Sequence, residues 1–105
     1  MIVTIFRSRL RPEHAEEYAL WAEEMEELAH TMTGFRSIKT FRHEDGERVS
    51  VVEFADWESL REWAHHPRHR EAQRMRREKF YLEFHLQSGE VEREIHFVLP
   101  EDSPA

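Results

Sequence analysis

The chain of 105 residues contains no cysteine. That absence removes disulfides, thiolate nucleophiles, iron–sulfur clusters and cysteine-ligated zinc, and it is compatible with a reducing compartment. Glycine is nearly as scarce. The three glycines, at positions 34, 46 and 89, can build neither a G-x-G-x-x-G dinucleotide fingerprint nor a P-loop. No apolar run approaches the roughly 18 residues of a membrane span. The opening MIVTIFRSRL has neither a basic n-region nor a small-residue cleavage site, so a cytoplasmic protein is expected. Asparagine is also absent, and 13 Arg stand against 2 Lys, a balance that fits the depletion of thermolabile residues in thermophiles.

What is present describes one globular unit. Hydrophobic residues make up 39% and charged residues 35% of the chain, and a domain of about 100–200 residues leaves no room for a second module. Residues 1–99 are expected to form the domain and 100–105 a loose tail. With 22 acidic residues against 15 basic ones the net charge is −7, which disfavours nucleic acid and anionic membranes as partners.

The hydrophobic pattern sets the order of elements. Residues 2–10 are β-branched and aromatic, with apolar positions on both faces. Pro12 opens a helix in which Ala15, Tyr18, Ala22, Met25, Ala29 and Met32 recur at steps of three and four, and Gly34 ends it. Residues 35–43 and 48–55 read as strands joined through Glu44-Asp45-Gly46-Glu47, an Asp-Gly hairpin signal. Asp56 caps a second helix carrying Leu60, Trp63 and Ala64; Pro67 interrupts it, and a further helical piece runs to about Phe80. Residues 82–99 read as one long strand with a bend or bulge at Gly89. The sum is an α+β, ferredoxin-like βαββαβ domain with an antiparallel sheet. Two helices cover only one face of such a sheet. The apolar residues on the other face predict a homodimer joined through the sheet faces.

Gly34-Phe35 after the first helix, Phe54-Ala-Asp-Trp57, and the run from Trp57 through Trp63 to His66-Pro67-Arg68-His69, followed by Phe80-Tyr81, resemble the antibiotic biosynthesis monooxygenase family. The resemblance covers residues 2–97 and implies the dimeric α/β-barrel fold. For the family's oxygenases it implies a reaction with no flavin or metal, in which a bound phenolate or hydroquinone anion reduces O₂ and a hydroperoxide collapses to a quinone. Trp63 matches the family's pocket tryptophan; the alternative is an ordinary core residue. In the haem-degrading branch the first strand supplies an asparagine, and an iron-binding histidine follows the tryptophan by ten residues. Here those positions are Ser8 and Gln73, so degradation of haem is disfavoured. The pocket implied by the resemblance is lined by Phe6, Ser8, Trp63, Gln73 and Tyr81, with a small aromatic molecule as substrate.

The eight histidines need separate treatment. His65 and His69 have the i, i+4 spacing of a helical metal pair, with His66 between them as a third candidate for zinc, but Pro67 breaks that helix. The plainer reading makes them surface and capping residues. His85 lies in the last strand with Glu83 and Gln87 on its own face, where it could act as a base or serve as an interface residue. Residues 68–79 are locally basic, and the interleaved Glu71 and Glu78 point to a salt-bridged helix surface, with Arg74 and Glu78 paired. Recognition of a substrate carboxylate or phosphate is the alternative use of those arginines. Two functions outside oxygenation therefore stay open: a non-enzymatic dimer binding a hydrophobic small molecule or haem, and a zinc-binding protein.

Overall fold

A computed structural model describes residues 1–101; the end of the expected tail, residues 102–105, lies outside the described residues. Strand β1 (Ile2–Leu10) leads through a 3₁₀ turn at Pro12–His14 into helix α1 (Ala15–His30). Strands β2 (Phe35–Arg42) and β3 (Arg48–Phe54) follow, then helices α2 (Trp57–His65) and α3 (Pro67–Met75), a π-helical turn at Arg76–Phe80, and strand β4 (Tyr81–Glu90). The four strands pair antiparallel in the order β2-β3-β1-β4. This is the expected α+β ferredoxin-like arrangement, with an open sheet and the helices on one face.

Local chemistry explains the joints. Gly46 takes φ +94° at the tip of the β2–β3 hairpin, as the Asp-Gly signal requires. Gly34 takes φ +80° where α1 turns into β2. The Asp56 side chain accepts from the Ser59 backbone N–H at 2.8 Å and caps α2, and this contact, with the Ser59 side chain beside it, holds the carboxyl below its ordinary range. His66 caps α3 in the same way, its Nδ1 accepting from the Arg68 N–H at 3.1 Å.

The long strand expected over 82–99 is shorter than the pattern suggested. Ile2 pairs with Glu90, and β1 offers no residue beyond that point for the antiparallel ladder. One further bond, from the Val91 N–H to the Met1 carbonyl at 2.9 Å, ends the contact. Residues 91–100 carry no regular structure, and Ile95, Phe97, Val98 and Leu99 are exposed, Phe97 to 78%. Gly89 sits in regular pairing with Val3; the irregularity falls instead between Arg9 and Leu10, which pair with Glu83 and Tyr81 and leave Leu82 over.

The packed core is small and lies at one end of the sheet. Ala29, Phe54 and Trp63 are buried together, with Met25, Leu28, Met32, Phe35 and Leu60 against them. Phe54 pairs with Ile2, whereas Tyr81 pairs with Leu10 at the other end of β1. There Tyr18, Phe80 and Tyr81 form an edge-to-face aromatic group with centroids 5.7 Å apart. Between the two clusters the helices do not meet the sheet.

Candidate active site

The gap has a cause in the sequence. On the helix-covered face, the middle rungs of the sheet carry short hydroxyl residues: Thr4 faces Ser88 across β1 and β4, and Thr40 faces Ser50 across β2 and β3. Their hydroxyls bond each other, at 2.7 Å for Thr4 and Ser88 and 2.8 Å for Thr40 and Ser50, so these positions are satisfied by short side chains, while Phe6, which pairs with Ser50, rises beside them. Above it α1, α2 and α3 contribute Ala22, Ala64 and Ala72. Small residues on both sides leave a half-open cavity of about 430 Å³, a size that suits a small-molecule ligand.

Aromatic groups wall this space. Phe6, Trp21, Trp63, Phe80 and Tyr81 line it, and Tyr18 joins them from α1. Phe6 meets Tyr81 edge-on at 5.4 Å. Burial, with the neighbouring Tyr18, pushes the Tyr81 hydroxyl well above the usual phenol range, so it stays protonated. The Gln73 amide donates to the Ala64 carbonyl at 3.1 Å, tying α3 to α2 at the cavity wall.

Trp63, 8% exposed, lines the cavity with its ring stacked on His69 at 3.9 Å between centroids and 15° between planes. The His69 Nδ1 lies 2.9 Å from the Trp63 carbonyl. Because a carbonyl only accepts, Nδ1 carries the hydrogen and Nε2 is left with a lone pair. Burial lowers the His69 pKa to about 4, the hydrogen bond to Trp63 opposes that, and Arg76 reinforces it. At neutral pH the cavity therefore holds a neutral imidazole.

Of the residues singled out in the sequence, Phe6, Trp63, Gln73 and Tyr81 meet at the cavity, joined by His69. Ser8 and His85 do not. Ser8 is buried at 4% on the correct face, but it pairs with Arg48 and Phe84, one inward position beyond Phe6 and off the cavity lining. His85 pairs with Arg7 on the opposite face of the sheet and is exposed, so it cannot reach a ligand held under the helices. The zinc set fails on geometry as well: His65 is exposed at the end of α2, His66 spends Nδ1 on its cap, and His69 is turned to Trp63. Among the described residues no three His, Asp or Glu side chains are grouped to hold a metal ion.

Sequence reasoning passed over Arg48 and did not separate Arg76 from the rest of the basic run 68–79; both line the cavity. The basic run does form the expected salt-bridged surface elsewhere: Arg68 holds Glu24 and Glu71, Arg74 approaches Glu78 at 3.7 Å, and Lys79 meets Glu17 at 2.6 Å. Arg76 departs from it. Its spacing of seven residues from His69 and four from Ala72 was the available signal, since such positions share a helix face.

The sequence profile described as antibiotic biosynthesis monooxygenase matches residues 1–75. The chain belongs to that family. No curated protein matches it in sequence. Among solved structures, Rv0793 from Mycobacterium tuberculosis is 18% identical with a TM-score of 0.79, over 90% of this chain and 98% of that one. An antibiotic biosynthesis monooxygenase is 13% identical with a TM-score of 0.76, over 89% and 100%. A conserved protein from Methanosarcina mazei Go1 is 14% identical with a TM-score of 0.74, over 84% and 89%. Likeness at such identities establishes the fold, and the family does not by itself name a substrate. No helix among the described residues is long and apolar enough to cross a membrane.

Proposed function

We propose that this member of the antibiotic biosynthesis monooxygenase family oxygenates a small phenol or hydroquinone in the cavity under α1, α2 and α3, with no flavin or metal. The observation that carries the reading is an aromatic-walled space of about 430 Å³ with a neutral imidazole stacked on its tryptophan. His69 Nε2 accepts the hydrogen bond of the substrate hydroxyl and takes its proton as the ring passes one electron to O₂, because electron loss makes that hydroxyl acidic enough for so weak a base. The ring radical and the reduced oxygen then combine into a carbon–oxygen bond. The resulting peroxide takes the proton back from His69, and loss of water with a ring hydrogen leaves the quinone. A phenol and O₂ thus become a quinone and water. The depressed basicity of His69 makes its protonated form a good donor for the second transfer.

A second copy packed on the open sheet face belongs to the same reading. Val3, Ile5, Val49 and Val51 are only half-buried on that face and Phe41 is exposed, and the apolar segment 91–100 has no partner of its own. Binding without turnover is the second reading, favoured because the Gln73 amide is already bonded to Ala64.

An oxygen electrode with 1-naphthol separates these readings. One O₂ consumed per 1,4-naphthoquinone formed, with kcat reduced at least tenfold in Trp63→Phe, is the expected result. Naphthol binding with no oxygen uptake would establish the binder, and full turnover in Trp63→Phe would remove the tryptophan from the reaction.

A further inference from the structure

Arg76 enters the cavity wall from the π-helical turn. Its guanidinium carbon lies 5.2 Å from the ring centroids of both Phe6 and Phe84. Its Nε is buried with no hydrogen-bond partner. Burial disfavours its charged form and draws its pKa below the ordinary value. Aromatic faces compensate a cation only in part, by about 0.5–2 kcal/mol, and the half-buried Arg76 guanidinium has no carboxylate beside it among the described residues.

The deficit does not come from a shortage of acids. The chain has 22 acidic residues against 15 basic ones, and Arg7, Arg9, Arg68 and Arg74 each have a carboxylate partner on the surface. Among the described residues Arg76 has none, and Arg48, the other cationic lining residue, lies over the Tyr18 ring at 5.4 Å. The lone acid of the lining, Glu26, is exposed on α1. An acidic protein has thus gathered two arginines against one glutamate around an aromatic cavity.

We infer that the ligand of this cavity is an aromatic acid whose carboxylate is held by Arg76 while its ring lies among Phe6, Trp63 and Phe80. A carboxylate suits the site better than a phenolate: its two oxygens match the forked edge of a guanidinium, and it is ionised at neutral pH, whereas a phenol is not. This inference rests on the aromatic-ligand reading given above and adds the charge and its anchor. Arg76 then positions the ring, and the reacting hydroxyl belongs to another edge of the same molecule.

Titration calorimetry of the full chain with 1-naphthoate and with neutral 1-naphthamide tests it. The wild type is expected to bind naphthoate at least tenfold more tightly than the amide. Arg76→Met is expected to abolish that preference, and Arg76→Lys to restore part of it. Melting curves confirm that each variant is folded; should Arg76→Met fail to fold, the comparison of wild type with Arg76→Lys carries the test, because lysine keeps the charge and loses the fork. Equal binding of the two probes by the wild type would overturn the acid and leave the aromatic cavity standing. A naphthoate preference that survives unchanged in the folded Arg76 variants would overturn Arg76 as the anchor. Failure of both probes to bind would overturn the aromatic-ligand reading together with this one.

Discussion

Replacing His69 with phenylalanine should make the protein less stable at pH 7 and more stable at pH 5. In the unfolded chain a histidine titrates near 6.5, whereas burial holds His69 to about 4 in the fold. Above pH 6.5 both states are neutral there and pH has no effect through this group. Between 6.5 and 4 the unfolded chain takes up a proton that the folded one refuses, so stability falls as the pH falls. For these two pKa values the loss is about 2 kcal/mol at pH 5 and about 3 kcal/mol at pH 4. Phenylalanine keeps a ring against Trp63 but removes the 2.9 Å bond to the Trp63 carbonyl, at a cost of about 1 kcal/mol at every pH. The two stability curves therefore cross between pH 7 and 5. Urea unfolding followed by circular dichroism at several pH values measures both curves, and the carboxylates common to both proteins cancel in the difference. A gap of constant sign and size from pH 7 to pH 5 would refute the claim that the imidazole is held neutral.

Two other outcomes follow from the packing. In Gly34→Ala the new methyl would lie 2.1 Å from the Ser59 Oγ at a residue with φ +80°; left-handed strain and overpacking together cost about 2–4 kcal/mol, and a thermal melt should fall by about 10 °C or more. An unchanged melting temperature would mean that the α1–β2 joint can open without penalty. Truncation after Glu90, which removes the exposed Ile95, Phe97, Val98 and Leu99, is expected to weaken self-association in light scattering by at least tenfold. A truncated chain that associates as the full chain does would confine the interface to the sheet.

The fold was legible because each element carried its own punctuation. Pro12, Gly34, the Asp45-Gly46 pair, Asp56 and Pro67 all mark joints that the structure uses. The alternation in residues 91–99 was equally legible and still gave no strand, because a strand needs a neighbour and the pairing of β4 with β1 runs no further than Ile2 and Glu90. At the site, Phe6, Trp63, Gln73 and Tyr81 line the cavity, whereas Ser8, also marked by family position, lies off it. His85 was placed on the correct side of its own strand but could not be assigned to a cavity, since alternation separates two faces without saying which one the helices cover. Arg76 was hidden inside a basic run whose other members behave as surface charges. The cavity floor of Thr4, Thr40, Ser50 and Ser88 was not singled out in the sequence, because what brings the four together is their pairing, which only the register reveals.

The π-helical turn that carries Arg76 gives the cavity a second way to change. Such a turn is a helical path with one residue more than regular α winding would hold, and it tends to occur where function requires it. Losing a single residue between Arg76 and Phe80 would restore regular winding, and each residue before the deletion would turn by about 100° against those after it. Arg76 would then leave the wall while Tyr81 stayed fixed by its pairing with Leu10. Ligand preference in this scaffold can therefore shift through a one-residue insertion or deletion in the turn, with the sheet left as it is.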